Sequence, residues 1–518
     1  MTAWADEGHH HEELTPEQLG TVHFPVSCSP SVQQGFERGV ALLHSFSYEA
    51  AEKAFQRIAD DDAQCAMAHW GVAMSIWHQL WNQPDAATLQ KGRDAVKKAQ
   101  ALDPKTERER RYIAAVSAFY TKSGSYKKRA SAYVKAMEQI HQRFPDDHEA
   151  AAFYALSVIA VDYDDDHSTR KKTAIAVLEK LFAEEPNHPG VAHYLIHSYD
   201  SPDMAHLGVP AARRYAKIAP AAPHALHMPS HIFARLGLWQ DDIDSNLASI
   251  AATRKSSAMH MGDEGHQFHA IDFLVYAYLQ SGREAEARRV IDEVKAMPKM
   301  TDMYGIGFDP HVAAMVALEA SYVLELHLWN EAASLPPVPD AELEDSAITC
   351  RARAIGLART AKVAEARKEL AQLEAIHKSL LQKKKKDIAE AVDIDRRQAL
   401  AWVKRAEGKD EEALKLLRAI ADKDEGASGA SDGIPAREML ADMLLELKRP
   451  AEALAEYDAE LKANPNRFNA LYGAAQAAEL SGKAEKGNAY YSTLVEICTG
   501  SSSDRPELKH ARSLLAKK

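Results

Sequence analysis

Histidine is the residue type whose spacing in this sequence suits metal chemistry. Between positions 193 and 269 the chain carries nine of its 24 histidines: His193, His197, His206, His224, His227, His231, His260, His266 and His269. His193 and His197 stand four residues apart in VAHYLIHSYD, so on a helix they share one face. His227 and His231 repeat this spacing in HMPSHIFARLG. Neutral imidazoles in such pairs are suitable ligands for Zn, Cu or Fe.

Pro229 lies between His227 and His231 and changes the geometry expected of the second pair. Proline is favoured in the first turn of a helix, where no backbone N–H is needed. We therefore expect a helix to begin near Pro229, with His227 at its cap rather than inside it.

Alignment of neighbouring hairpins on their turns predicts which side chains meet. In the hairpin that turns at Gly237, His227 stands ten residues before the turn. Asp272 holds the equivalent place before Gly282, and His269 lies one helical turn earlier. Neighbouring helices pack about 10 Å apart, so their side chains can converge. The predicted ligands of a transition metal are His193, His197, His227, His231, His269 and Asp272. The predicted lining of the surrounding groove is Tyr194, His224, Arg235 and Tyr276.

Other interpretations of these histidines stay open. They could line a groove that holds a peptide or protein without metal, or be structural residues satisfied in the core. A metal-dependent hydrolase or oxidoreductase is a further alternative, because three or four ligands with an open position are typical of catalytic sites. Neither pair carries the glutamate of HExxH, which argues against a zincin. No GxSxG, phosphate-binding glycine loop or dinucleotide fingerprint is present, so no nucleotide cofactor is expected.

The elements that must position these residues are helical hairpins in a degenerate repeat. Two C-terminal units, AREMLADMLLELKRPAEALAEYDAEL and ALYGAAQAAELSGKAEKGNAYYSTL, place Lys448 and Gly482 at the same turn position, 34 residues apart. An alanine five residues after the turn, such as Ala453, lets the two helices approach closely. The same turn position recurs at Phe46, Gly237, Gly282 and Gly408. The spacing between turns varies, which indicates insertions.

These repeats resemble the tetratricopeptide repeat (TPR) family, most clearly over 31–80, 190–295 and 395–500. The blocks PVSCSPSVQQGFERGVALLHSFSYEAAEKAF and HMPSHIFARLGLW look like a large, histidine-rich bacterial subfamily. The resemblance implies an all-α fold, a right-handed superhelical solenoid of TPR-like helical hairpins with degenerate repeats and insertions. It also implies a concave face that binds a peptide or protein. Fold alone does not identify the function.

Two linkers suggest the domain organisation. Residues 335–344 (LPPVPDAELE) are rich in proline, and residues 424–433 (DEGASGASDG) are rich in small polar residues. We predict an N-terminal extension at 1–30, a TPR-like solenoid with the central histidine cluster at 31–334, middle helical hairpins at 345–423 and regular TPR repeats at 434–518.

Charge and composition narrow the partners and the compartment. The net charge of −12 makes nucleic acid an unlikely main partner. No run of about 20 apolar residues predicts a membrane span. The N-terminus MTAWADEGHHHEEL lacks the apolar region of a secretory signal, so the location is cytoplasmic, or periplasmic or secreted if a signal has been removed. Cys28 and Cys65 are either two free buried thiols or a disulfide, and a disulfide would favour an oxidising compartment.

Overall fold

The computed structural model describes residues 14–80, 83–163, 165, 168–258, 266–297, 310–423 and 433–516. Within these ranges the regular structure is helical and contains no strand, so the all-α prediction is confirmed. None of the helices in these ranges combines the length and the apolar character that crossing a membrane requires.

The helices follow one another along the chain with short connections. The first set, preceded in part by a 3-10 turn at Pro30–Val32, is α1 (Pro16–Leu19), α2 (Gln33–His44), α3 (Tyr48–Asp61), α4 (Ala66–Ser75), α5 (Ala86–Ala101), α6 (Glu107–Thr121), α7 (Tyr126–Arg143), α8 (His148–Val161), α9 (Thr169–Glu184), α10 (Pro189–Tyr199), α11 (Ala205–Ile218), α12 (Pro223–His227), α13 (Pro229–Arg235) and α14 (Trp239–Ala258). The second set is α15 (His266–Gln280), α16 (Glu284–Ala296), α17 (Pro310–Glu325), α18 (Trp329–Ala332), α19 (Leu343–Arg359), α20 (Val363–Gln382), α21 (Lys386–Ala406), α22 (Asp410–Ala421), α23 (Ala436–Glu446), α24 (Pro450–Ala463), α25 (Phe468–Leu480), α26 (Ala484–Ile497) and α27 (Pro506–Leu515).

The predicted turn positions between paired helices are confirmed by the backbone. Each adopts a left-handed conformation with positive φ: Phe46 (55°), Gly237 (63°), Gly282 (68°), Gly408 (78°), Lys448 (59°) and Gly482 (76°). In each hairpin the following residue donates its N–H to the carbonyl five positions earlier, which caps the first helix. The alanines five residues after the turns are buried where the helices meet: Ala51, Ala287, Ala413 and Ala453. These local rules are therefore what shapes the hairpins.

The chain divides into two compact units. Unit 1 comprises residues 1–200, 207–229 and 248–267, and unit 2 comprises 201–206, 230–247 and 268–518. The predicted segments follow different boundaries. Within unit 2, Leu324, Ile355 and Leu440 belong to one hydrophobic core, so apolar packing continues across the proline-rich segment 335–344. Most of the second linker, 424–432, lies outside the described residues.

A disulfide joins Cys28 to Cys65 in unit 1. The bond ties the segment before α2 to the N-terminal cap of α4. Of the two possibilities that the sequence left open for these cysteines, the structure contains the disulfide.

Candidate metal centre

Helix α10 carries the first histidine pair and lies inside unit 1. It begins with Pro189 at its first position, and the side chain of His188 caps it by accepting a hydrogen bond from the Val191 N–H. All its residues are buried, from Pro189 to Tyr199. His193 and His197 therefore face protein on a helix whose start is fixed by a cap.

Three imidazoles meet at one point in this unit. Nε2 of His193 lies 3.0 Å from Nε2 of His224 and 3.1 Å from Nε2 of His197. The three residues are 0%, 2% and 8% exposed, respectively. His224 belongs to α12, which begins at Pro223. The group His193, His197 and His224 is hereafter the three-histidine cluster.

A backbone contact fixes the protonation of the central ring. Nδ1 of His193 lies 2.7 Å from the main-chain oxygen of His44. A carbonyl oxygen only accepts hydrogen bonds, so Nδ1 carries the proton and Nε2 directs its lone pair at His197 and His224. A carbonyl that holds the far nitrogen is also the usual outer partner of a metal-bound histidine. The central ring is thus prepared to act as a ligand.

A second buried group, formed by His44, Glu149 and His188, has the opposite protonation. Nδ1 of His188 accepts a hydrogen bond from the Val191 N–H, at 3.2 Å. The proton of a neutral His188 ring therefore sits on Nε2, which donates to Oε1 of Glu149 at 3.0 Å. A protonated nitrogen cannot bind a metal. This group is a hydrogen-bonded network rather than a metal site, and is hereafter the Glu149 network.

The charge state of the Glu149 network follows from its burial. Burial lowers the pKa of His44, against the opposing effect of Glu149, and favours the neutral ring. Its Nε2–H donates to Oε2 of Glu149 at 2.8 Å, and its Nδ1 accepts from the Tyr194 hydroxyl at 2.7 Å. Burial raises the pKa of Glu149, but His188 and His44 lower it by more, so the net direction is down. The network holds one negative charge.

Aromatic rings enclose the three-histidine cluster. The ring centroid of Phe46 lies 4.3 Å from that of His193, 5.4 Å from that of His224 and 5.8 Å from that of His197. Tyr215 stacks on His193 at 5.2 Å. Phe46 is the left-handed residue of the α2–α3 turn, a conformation that costs a side-chain-bearing residue about 1 kcal/mol. The strained turn thus brings an aromatic wall to the histidines.

The other predicted ligands lie on different elements. Helix α13 begins at Pro229, as predicted, and His227 is the buried last residue of the preceding α12. The ring centroid of His227 is 6.2 Å from that of His224. In unit 2, Nε2 of His231 and Nε2 of His269 are 3.4 Å apart. Asp272 is half-buried, one helical turn beyond His269.

The predicted groove residues take separate roles. Tyr194 donates to His44 in unit 1, and His224 joins the His193 pair. In unit 2 the Tyr276 hydroxyl accepts a hydrogen bond from Arg467, and Arg235 is half-buried on α13. His260 lies outside the described residues. The sequence assigned His224 to the groove because it falls outside the four-residue spacing, and its approach to His193 is a tertiary contact.

Comparison with known proteins shows distant structural likenesses. No protein family model and no curated protein sequence matches this chain. A monomeric IFIT1 mutant with Gppp-AAAA is similar at a TM-score of 0.36 and 12% identity, over 93% of this chain and 98% of that one. The human IFIT1 dimer with m7Gppp-AAAA gives 0.34 and 12%, over 88% and 95%. Naa15/Naa10 bound to HypK-THB gives 0.23 and 12%, over 93% and 66%. At such scores no ligand is transferred to this chain. The expected peptide or protein ligand stays a prediction, as does the exclusion of nucleic acid.

Proposed function

We propose that this chain is a TPR-like helical protein that binds one transition-metal ion on His193, His197 and His224. The observation that carries the proposal is the meeting of three buried Nε2 atoms around a lone pair that the His44 carbonyl fixes. Bonds of about 2.0–2.1 Å to a tetrahedral ion place neighbouring nitrogens roughly 3.3 Å apart. The distances of 3.0 and 3.1 Å need only a small outward movement to reach that geometry.

The donor chemistry limits which ion fits. Three imidazole nitrogens suit Zn, Cu or Fe, and they disfavour Mg and Ca, which prefer oxygen ligands. Three histidines are also a donor set of catalytic zinc sites, where a fourth position holds water. A metal-dependent hydrolase or oxidoreductase therefore remains the alternative function, and metal binding is the step to test first.

The experiment measures metal in protein made without an affinity tag and with His9, His10 and His11 changed to serine, which removes the terminal histidines as competing ligands. We expect about one ion per chain after equilibration with Zn or Cu, and loss of it in His193→Ala and in His224→Ala. His23→Ala is the matched control in the same unit, because the His23 side chain is 86% exposed. Less than about 0.1 ion per chain, with no uptake on titration, would overturn the proposal.

We further propose an oxidising compartment, periplasmic or extracellular, on the support of the Cys28–Cys65 disulfide. Disulfides form and persist in such compartments and are rare where thiols are kept reduced. Alkylation of the native protein before reduction, followed by mass spectrometry, tests this. Alkylation of both cysteines in protein taken directly from the cell would contradict it.

A further inference from the structure

We infer that Glu149 is the buried counter-charge of the metal centre and, through His44, a positioning residue for its ligand His193. The inference rests on the proposed function. Glu149 itself touches none of the three-histidine cluster in the hydrogen bonds that it makes, and it acts one residue removed, through the ring and main chain of His44.

The first step is the carbonyl of His44. His44 is the last residue of α2, and the final carbonyls of a helix have no partner within it and carry the negative end of its dipole. This carbonyl accepts the Nδ1–H of His193 at 2.7 Å. A bound cation draws electron density from the ring, which makes Nδ1–H a stronger donor to that oxygen. The position of His44 therefore affects how well His193 binds.

The second step is what holds His44 in place. Its ring is bound on both sides, by the Tyr194 hydroxyl and by Glu149. Gly190, near the start of α10, approaches the ring so closely that a Cβ there would lie 2.4 Å from Nδ1 of His44. Helix α10, which carries two of the ligands, is thus seated directly on His44.

The third step is charge. Three neutral imidazoles leave the charge of a bound cation uncompensated, and a buried charge is costly unless another charge or hydrogen bonds offset it. The Glu149 side chain is 2% exposed, and both its oxygens accept hydrogen bonds from histidines rather than from a lysine or arginine. Its negative charge is therefore not neutralised by a cationic side chain through these bonds and is available to offset the metal.

The test compares Glu149→Gln with Glu109→Gln in otherwise native protein. Glu109 is the matched control, because it is another buried carboxylate of unit 1, where it accepts from the N–H and the hydroxyl of Ser27. Zinc affinity is measured by competition with a chelator, and thermal stability is measured without metal. We expect Glu149→Gln to weaken zinc binding about 10- to 100-fold and Glu109→Gln to leave it unchanged. Glu149→Asp, which keeps the charge, is expected to bind zinc more tightly than Glu149→Gln.

The outcomes separate the two proposals. Wild-type protein without metal uptake would overturn the metal centre itself. Wild-type protein that binds one ion, with equal affinity in Glu149→Gln, would overturn only the role of Glu149. A fall in metal-free stability without a change in affinity would likewise reduce Glu149 to a structural residue.

A second variant covers the case in which Glu149→Gln does not fold. Tyr194→Phe removes only the hydroxyl that holds Nδ1 of His44. We expect it to weaken zinc binding severalfold while the metal-free protein stays folded. Unchanged affinity in this variant would overturn the positioning of His193 through His44.

Discussion

Single backbone contacts distinguish the two buried histidine groups of unit 1. A carbonyl faces Nδ1 of His193, and an N–H faces Nδ1 of His188. The first contact leaves Nε2 as a lone pair, and the second leaves it as a donor. Residue type and burial are alike in the two groups, so it is the backbone partner that separates a candidate ligand from a structural histidine.

At the same scale, the His231–His269 pair predicts a weaker, exchangeable metal site in unit 2. The two Nε2 atoms are 3.4 Å apart, His231 is half-buried and His269 is exposed, so an ion can enter and leave from solvent. In a His193→Ala background, we expect Cu or Zn titration to show residual binding that is lost in His231→Ala or His269→Ala. His206→Ala, an exposed histidine assigned to the same unit, serves as the control. Residual binding that persists in both variants would contradict this site.

At the scale of elements, local signals were sufficient for the hairpins and insufficient for the complete site. Glycine, a buried alanine five residues later and the four-residue histidine spacing are all readable along one segment. Further left-handed residues, His327, Ala361 and Lys384, were not predicted, because nothing in their side chains marks the conformation. The meeting of His224 with His193 depends on how α10 and α12 pack, which no local pattern encodes.

The hairpin at Gly237 shows how far a degenerate repeat departs from its rule. Five residues after this turn, Asp242 replaces the usual alanine and is fully buried. It accepts a hydrogen bond from the Asn246 side chain at 2.6 Å. Burial raises the pKa of Asp242 well above its ordinary value, more than Asn246 lowers it. The hairpin therefore keeps its turn while the interface between its helices has become polar.

The hairpin turns also give a prediction about stability. Lys448 is exposed with φ of 59°, so Lys448→Gly relieves a left-handed side chain and should stabilise the protein by about 1 kcal/mol. Gly482→Ala at the equivalent turn should destabilise it by about 1 kcal/mol, because a Cβ there meets nothing within 4 Å and only the φ of 76° opposes it. Urea unfolding measures both, with Lys448→Ala as the control that keeps the strain. Equal stability of Lys448→Gly and Lys448→Ala would contradict this account.

At the scale of the whole molecule, each unit buries charge of its own. Unit 1 contains the Glu149 network, and unit 2 contains Arg467, which donates to Glu325 and to Glu438 at 2.8 Å each. Arg467 and both carboxylates are 0–1% exposed. Such groups stabilise a fold only while their protonation states match, because an uncompensated buried charge is strongly destabilising. The stability of the chain should therefore depend on pH through its buried carboxyl groups.

Glu460 on α24 allows this dependence to be tested. Burial raises its pKa from 4.5 to about 7, with Glu438 acting in the same direction and with Arg467, Asn464 and Arg437 opposing. A raised pKa means that the fold favours the neutral acid, so this contribution is complete below pH 4.5 and is lost as pH rises through about 7.

Glu460→Gln mimics the neutral acid and should therefore flatten the pH dependence. We expect wild-type protein to lose up to roughly 3 kcal/mol more than this variant between pH 5 and pH 8, measured as the free energy of urea unfolding at each pH. Glu452→Gln on the same helix is the control. Glu452 is exposed and its pKa is lowered, chiefly by its hydrogen bond with Arg449, so its contribution changes only below this pH range. If Glu460→Gln and Glu452→Gln lose the same stability as wild type between the two pH values, the carboxyl of Glu460 is not held neutral by its burial.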